Sequence, residues 1–240
     1  MRVDAVTHAG ALAGLEPAPR RVVIIDTVRA SSTIAHAVCS GAKRIIPAAS
    51  ISEAWDLRQR FGVEKPLLGG ERKGLKIEGF DLGNSPQSYT PAVVRGRTLI
   101  VTTTNGTRAM RAADRIGRVV VAALVNLPAV VAHLLHWGDN VLLAPVGREG
   151  AAVLDDLVCA GMYADALGTA ELDLSETAQE LRERYLDYEG SLLDALRDSA
   201  SGQALIDVGL GGDLDYCAKV GVLNSVPVIE AGVISESGTA

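Results

Sequence analysis

Short apolar runs alternate with helix-like segments through the first 150 residues of the chain. The runs that predict strands are RVVIID at residues 21–26, KRIIPA at 43–48, KPLLGG at 65–70, RTLIVTTT at 97–104, GRVVVAA at 117–123 and DNVLLAPV at 139–146. Most are apolar at nearly every central position, which is typical of parallel strands covered on both faces. The pattern therefore predicts an α/β fold with a mostly parallel sheet and helices on both faces.

Helix boundaries are marked at several joints between these runs. Ser50 and Glu53 have capping-box spacing, and Gly62 follows the helical pattern that they begin. From about residue 150 to 222 the pattern is mainly helical, and SVPVIE at 225–230 predicts a strand that returns to the sheet. We interpret residues 1–240 as one α/β domain with a helical C-terminal portion, and we expect the tail at 235–240 to fray.

Composition narrows the class of protein further. The chain has 240 residues and is 48% hydrophobic, yet no apolar run approaches the roughly 20 residues of a membrane span. The first 20 residues do not have the pattern of a signal peptide, so we expect a cytoplasmic protein that does not contact membranes. The three cysteines lack zinc or disulfide spacing, and we interpret Cys39 as a small buried residue rather than a nucleophile.

Charge is distributed unevenly between the two halves of the chain. Residues 1–120 have 18 Lys/Arg and 10 Asp/Glu, a formal +8, whereas residues 121–240 have 5 and 19, a formal −14. This asymmetry favours an anionic ligand bound by the first half, with acids of the second half facing solvent, a metal or a partner. Net acidity without interleaved basic and aromatic residues argues against nucleic acid. The apolar segment LPAVVAHLLHW at 127–137 predicts a homo-oligomer.

The segment DTVRASST at residues 26–33 follows the first predicted strand and opens a helix. Free backbone amides at a helix start, together with an arginine, favour a bound anion, and Asp26 lies where a metal ligand or an acid/base group would stand. The alternative is a capped helix in which Asp26 and Arg29 form an ion pair. The candidate ligand contacts here are the hydroxyls of Ser31, Ser32 and Thr33.

A second strand-to-helix junction, VTTTNGTRAM at residues 101–110, repeats this design. Hydroxyl residues end the strand, Asn105-Gly106 permits a tight turn, and Arg108 lies on the first helical turn. Two such junctions in one sheet favour a polyanionic ligand between them. The candidate contacts are Thr104, Asn105, Gly106 and Thr107.

Two further segments contribute candidate residues. The connection at residues 68–90 is long for a compact domain, which favours a role for Glu71, Arg72, Asn84 and Ser85, whereas Lys73 and Lys76 are equally well explained as solvated charges. In PVGREGAAVLDDLVCAG at 145–161, Asp155 and Asp156 lie early in a predicted helix. The helix dipole alone would explain acidic residues there, and the alternative is that one of the two binds a metal. Carboxylates without thiolates or imidazoles favour Mg²⁺ over zinc.

The ordered set DTVRASST, GER, GFDLGNSP, TTTNGT and DDLVCAG resembles the Mg²⁺-dependent 2-phosphosulfolactate phosphatases, from about Asp26 to Pro227. The resemblance implies hydrolysis of 2-phospho-3-sulfolactate to 3-sulfolactate and phosphate, which serves coenzyme M biosynthesis in some organisms. Ser31 stands where the family commonly has threonine, and Asp155 stands where it usually has glutamate. Asp156 is therefore preferred, and Asp215 and Cys217 are weaker candidates in the last acidic segment.

We accordingly predict a phosphatase acting on a small anionic substrate. Asp26, Arg29 and Glu71 are the predicted catalytic residues, and Asp26, Glu71 and Asp156 are the predicted Mg²⁺ ligands. Water attack and a covalent phosphoenzyme remain open alternatives. Two other functions are compatible with the motifs: a phosphatase of the same fold acting on another phosphorylated acid, and a noncatalytic module that binds a phosphorylated metabolite.

Overall fold

The computed structural model describes residues 1–168 and 172–238. The strands are β1 (Arg2–Ala5), β2 (Arg20–Ile25), β3 (Arg44–Pro47), β4 (Leu67–Arg72), β5 (Leu75–Lys76), β6 (Thr98–Thr102), β7 (Arg118–Ala122), β8 (Asn140–Pro145), β9 (Asp173–Leu174), β10 (Pro227–Glu230) and β11 (Val233–Glu236). The helices are α1 (Ala30–Cys39), α2 (Ile51–Gln59), α3 (Pro91–Val94), α4 (Gly106–Ala113), α5 (Leu127–Trp137), α6 (Leu154–Gly168), α7 (Glu176–Leu186), α8 (Leu192–Asp198), α9 (Ala200–Asp207) and α10 (Gly212–Cys217).

These strands form one sheet in the order β5-β4-β6-β3-β11-β10-β7-β2-β8-β1-β9. Strands β4, β6 and β3 are parallel to one another, and so are β7, β2, β8, β1 and β9. The antiparallel hairpin β10–β11 joins the two parallel blocks. The predicted mostly parallel sheet is confirmed. The expectation of a tail frayed over residues 235–240 is wrong for Ser235 and Glu236, because both pair with β10 within β11, and residues 239–240 lie outside the described residues.

Alternating side chains of each central strand pack against different helices. Along β2, Val23 and Ile25 lie in a hydrophobic cluster with residues of α5, α6 and α7. Val22 and Ile24 lie in a second cluster with residues of α1 and α4. Because successive side chains of a strand point to opposite faces, the two clusters lie on opposite sides of the sheet. Helices on both faces and a helical C-terminal portion are thus confirmed.

Local signals in the sequence correspond to the observed helix ends. Ser50 Oγ accepts a hydrogen bond from the Glu53 amide at 3.1 Å, and Glu53 Oε2 accepts one from the Ala49 amide at 2.7 Å. These contacts satisfy amides that have no partner within the helix. In the described part of the chain, no helix is long and apolar enough to cross a membrane. The interpretation of Cys39 as buried is wrong, because it is exposed at the end of α1.

Candidate active site

A cleft of about 120 Å³ lies at the carboxyl ends of the parallel strands, where ligands collect in sheets of this kind. It is lined by residues that follow β2, β4, β6 and β8 and by the start of α9. The lining residues are Asp26, Val28, Arg29, Ala30, Glu71, Lys73, Gly74, Asn84, Thr103, Thr104, Asn105, Gly147, Arg148, Glu149, Asp156, Ser201, Ala204 and Leu205. The structure therefore brings part of each predicted motif into one cleft.

Curvature of the sheet makes this convergence possible. Strand β6 lies five positions from β2 in the sheet order, a separation of about 24 Å in a flat sheet. In the structure, a Cβ added to Gly106, just beyond β6, would lie 2.6 Å from Asp26 Oδ2 and 2.9 Å from the Ala30 Cβ. The sheet thus curls around α4 and brings the two predicted strand-to-helix junctions into contact.

Asp26 lies at the base of the cleft and is partly exposed to it. Burial is the main reason that the pKa of Asp26 rises to about 7, and the Ala30 amide, which donates to Oδ1 at 3.2 Å, opposes the rise. The negative charges of Asp155 and Glu71 raise the pKa further. A carboxyl group perturbed by burial and by like charges in a cleft is characteristic of a functional site.

Asp155 and Asp156 are adjacent in the first turn of α6 and are only 1% and 2% exposed. Asp156 accepts hydrogen bonds from the Thr27 amide at 2.8 Å and from the Gly147 amide at 2.9 Å. Among the residues that the structure describes, none donates a hydrogen bond of good geometry to either carboxylate oxygen of Asp155. Burial raises the pKa of Asp155 to about 6 and that of Asp156 well above its ordinary value. Repulsion by Asp155 and Asp26 adds to the rise at Asp156.

Glu71 connects the end of β4 to the second junction. Its Oε1 accepts hydrogen bonds from the amide and the hydroxyl of Thr104, at 2.8 and 2.9 Å. Its Oε2 accepts a hydrogen bond from the Gly74 amide at 2.8 Å. The Glu71 carboxylate therefore organises two loops of the cleft, and part of its acceptor capacity is already used.

Arg29 lines the cleft, but its guanidinium is already occupied. It donates to Asp213 Oδ2 at 2.5 Å and to the Gly74 carbonyl at 2.6 Å. The Ser85 hydroxyl donates to the other oxygen of Asp213 at 2.6 Å. The partner of Arg29 is thus Asp213 and not Asp26, the ion pair considered from the sequence.

The last acidic segment contributes a different residue from those that the sequence suggested. Asp215 lies outside the cleft, with its side chain 60% exposed and 3.5 Å from Arg197. Cys217 is fully buried, and burial raises the pKa of its thiol to about 12. Asp213 went unrecognised, although it lies two residues before Asp215 in the same acidic segment, because nothing local distinguishes the two.

The hydroxyl residues of the first junction contact the backbone rather than the cleft. Ser31 Oγ accepts a hydrogen bond from the Asp26 amide at 3.0 Å, and Ser32 Oγ donates to the Thr27 carbonyl at 2.8 Å. Thr33 Oγ1 donates to the Asn84 carbonyl at 2.9 Å. These side chains position the loops and are not among the lining residues.

Other predicted contacts also lie just behind the cleft wall. The hydroxyl of Thr107 and the amide of Thr103 are 3.4 Å apart. Arg72 donates to the hydroxyl of Thr102 at 3.0 Å, and burial lowers its pKa. Neither Thr107 nor Arg72 lines the cleft, and Ser85 and Gly106 do not line it either.

The carboxylate oxygens that line the cleft are of the kind that magnesium ions bind. In residues 1–168 and 172–238, no three His, Cys, Asp or Glu side chains converge closely enough to hold a metal by themselves. Mg²⁺ does not require this, because it usually keeps several waters and takes one or two carboxylates plus substrate phosphate. The unpartnered oxygens of buried Asp155, whose pKa the hydroxyls of Ser199 and Ser201 moderate, fit a cation. The carboxylates around Asp26 therefore suit Mg²⁺ together with a phosphorylated substrate.

Comparisons with known proteins show the family to which the chain belongs. A family model described as 2-phosphosulpholactate phosphatase matches residues 11–232. A protein of Symbiobacterium thermophilum named "Probable 2-phosphosulfolactate phosphatase" is 38% identical over 221 residues, which cover 91% of this chain and 95% of that protein. Proteins with the same name from Synechococcus sp. and Clostridium acetobutylicum are 39% and 34% identical, covering 92% and 98% of this chain and 93% and 100% of their own.

Fold and comparisons together define the class of protein as an α/β phosphoric monoester hydrolase. The chain belongs to the 2-phosphosulpholactate phosphatase family.

Proposed function

We propose that this protein hydrolyses 2-phospho-3-sulfolactate to 3-sulfolactate and inorganic phosphate in a Mg²⁺-dependent reaction. The observation that carries the proposal is a group of three carboxylates with raised pKa values: Asp26 and Asp156, which line the cleft, and the buried Asp155 beside Asp156. The names of the family and of the similar proteins supply the substrate.

Charge explains why a cation belongs to this proposal. The substrate carries about four negative charges near neutral pH, counting phosphate, carboxylate and sulfonate. A phosphate group would be repelled by Asp26, Asp156 and Glu71, which line the same cleft. Asp26 and one carboxylate beside it, Asp156 or Glu71, would hold Mg²⁺ together with water and the substrate phosphate, and the buried Asp155 would add negative charge behind them. The bound ion would supply electrostatic stabilisation of the phosphoryl oxygens.

Residues of the chain would then orient the phosphate ester. Asp26 is the group that we expect to contact the reacting atoms, because its partly exposed carboxylate lines the cleft and the Ala30 amide holds its Oδ1 in place. Arg29 would position the loops rather than clamp the phosphate, since Asp213 and Gly74 already occupy its guanidinium. Glu71 would hold Thr104 in place at the opposite wall.

Phosphate release from 2-phospho-3-sulfolactate tests the proposal, measured with Mg²⁺, with excess chelator and with Asp26→Asn. We expect activity only in the wild type with Mg²⁺, and at least a hundredfold loss in the variant. Asp194→Asn provides a matched control, because it makes the same change at an exposed residue of α8 that lies outside the cleft. Full activity in chelator, or in Asp26→Asn, would contradict the proposal.

A panel of phosphate esters separates this activity from that of a phosphatase for another small phosphorylated acid. Ligand-dependent thermal stabilisation without phosphate release would instead indicate a binding module. Trapping labelled phosphate on the protein after rapid quenching would distinguish a phosphoenzyme from direct attack by water. The proposal extends to the implied role in coenzyme M biosynthesis, a cytoplasmic location and a homo-oligomeric state, the last measurable by light scattering.

A further inference from the structure

Two hairpin turns contribute exposed or half-buried residues to the lining of the cleft. The first connects β4 to β5, and its central residues Lys73 and Gly74 have φ of 53° and 82°. Positive φ at both positions is characteristic of a type I′ turn, and a lysine rarely adopts it. Glu71 accepts from the Gly74 amide at 2.8 Å, and Arg29 donates to the Gly74 carbonyl at 2.6 Å. Lys73 is thus carried by a turn that two buried charged residues anchor.

The second turn follows β8. Arg148 and Ala151 exchange backbone hydrogen bonds of 2.8 and 2.9 Å across it. Its central residues Glu149 and Gly150 have φ of 53° and 82°, which again is characteristic of a type I′ turn. Arg148 is half-buried and donates to the Ala200 carbonyl at 3.1 Å. The second turn therefore holds Arg148 at the rim of the same cleft.

The cations that line the cleft differ in how far their charge is compensated. Arg29 is paired with the buried Asp213. Lys73 has no hydrogen bond or ion pair with any described residue, and Arg148 has only a carbonyl partner. Lys73 and Arg148 therefore supply the uncompensated positive charge of the cleft, and the exposed Glu149 offsets part of it.

We propose that Lys73 and Arg148 form a subsite for the acid group of the substrate that is not hydrolysed, either a sulfonate or a carboxylate. This inference rests on the proposed function and adds to it the residues that select a doubly acidic substrate. The cleft carboxylates Asp156 and Glu71 are only 2% and 8% exposed, whereas Lys73 is exposed and Arg148 half-buried, so the carboxylates lie at the base of the cleft and these two cations at its rim. At the base, a divalent cation would offset the repulsion between the carboxylates and the phosphate. At the rim, Lys73 and Arg148 can bind an anionic group directly, without a metal.

The two rim residues are not equivalent to other surface cations. Lys76 lies on β5 in the same hairpin as Lys73, but it does not line the cleft. Arg184 is an exposed residue of α7 that also lies outside it. Lys76→Gln and Arg184→Gln therefore remove the same charges as Lys73→Gln and Arg148→Gln without touching the subsite.

Three substrates test the subsite: 2-phospho-3-sulfolactate, 2-phospholactate without the sulfonate, and isopropyl phosphate without either acid group. Lys73→Gln and Arg148→Gln should each lower kcat/KM for the first by about tenfold or more, chiefly through KM. Both should change it less than twofold for isopropyl phosphate. The result with 2-phospholactate identifies the group that the subsite recognises. If the two variants also lower kcat/KM for this substrate, the subsite binds the carboxylate; if they do not, it binds the sulfonate.

Calorimetric binding of 3-sulfolactate supplies a readout that needs no hydrolysis. The two rim variants should weaken binding about tenfold, whereas the control variants should match the wild type. If 3-sulfolactate binding depends on the rim residues but no phosphate is released from the substrate, the proposed function is contradicted and the subsite is supported. Hydrolysis with an unchanged KM, an equal loss on isopropyl phosphate, or absence of 3-sulfolactate binding to the wild type would overturn the subsite.

Discussion

Asp26 Oδ2 lies 2.6 Å from the position that a Cβ on Gly106 would occupy. Asp26 ends the first predicted strand of the sheet and Gly106 opens the helix after β6, so one contact joins two motifs 80 residues apart. The same Cβ would meet Ala30 at 2.9 Å and Thr103 Oγ1 at 3.1 Å. A side chain at position 106 therefore cannot be accommodated without moving the carboxylate at the base of the cleft.

Gly106→Ala should displace Asp26 and lower phosphatase kcat/KM by about tenfold or more, with a stability cost of about 1–3 kcal/mol. Gly212→Ala is the matched control, because Gly212 is also the first residue of a helix and has open space around it. Steady-state kinetics and thermal unfolding are the measurements. Activity within twofold of wild type in Gly106→Ala would contradict the close approach.

Asp213→Ala should destabilise the protein because it leaves Arg29 charged, buried and unpaired. Removal of one partner of a buried ion pair costs about 3–5 kcal/mol. Asp215→Ala, two residues away, removes a surface carboxylate 3.5 Å from Arg197 and should cost less than about 1 kcal/mol. Urea unfolding measures both variants. Equal stability of the two would show that the Arg29–Asp213 contact is unimportant for folding.

Asp155→Asn should stabilise the metal-free protein at high pH. Burial raises the folded-state pKa of Asp155 to about 6 from its ordinary 3.8, so the folded state favours the protonated carboxyl. This contribution to stability is present below pH 3.8 and is lost as pH rises through about 6. Above pH 7 the variant should exceed wild type by roughly 1–3 kcal/mol, and the difference should vanish in acid.

The check on Asp155 is thermal unfolding in chelator between pH 4 and 8. Asp194→Asn is the control, because it makes the same substitution at an exposed residue in the first turn of α8. A stability difference that does not change with pH would mean that Asp155 is not desolvated in solution.

Glu71→Gln should lower kcat/KM by about tenfold or more, because an amide cannot accept hydrogen bonds on both of its polar atoms. Either the Gly74 amide or the Thr104 amide would then lose its acceptor, at a cost of about 1–3 kcal/mol. Glu78→Gln changes an exposed glutamate after the same hairpin and is the control. Unchanged kinetics in Glu71→Gln would show that the two loops do not depend on this carboxylate.

Local patterns were sufficient for most of the fold. Apolar runs of β-branched residues identified the strands that became β2, β3, β4, β6, β7, β8 and β10. The strands β1, β5, β9 and β11 were missed, because each has only two to four residues and none of them belongs to a longer apolar run. Their hydrogen bonds come from neighbours distant in sequence, as when β1 pairs with both β8 and β9.

The candidate site was predictable to a lesser extent. Asp26, Glu71, Asn84, Thr104, Asn105 and Asp156 were named from their motifs, and all of them line the cleft. The motifs could not separate residues that face the cleft from those that support it, such as Ser32 and Thr33, whose hydroxyls bond to carbonyls. They also did not distinguish Lys73 from Lys76, because the direction of a side chain at the tip of a hairpin depends on the conformation of the turn.

By itself, the sequence determined the class of fold, the order of its main strands and the chemistry available at their ends. These depend on the period of apolar residues and on the residue types at each joint, which are local properties. Only the tertiary structure decided that the sheet curls until Asp26 meets Gly106, that Arg29 pairs with Asp213, and that Lys73 and Arg148 share one rim. Such contacts join residues far apart in the chain, so they follow from how the layers pack and not from any segment alone.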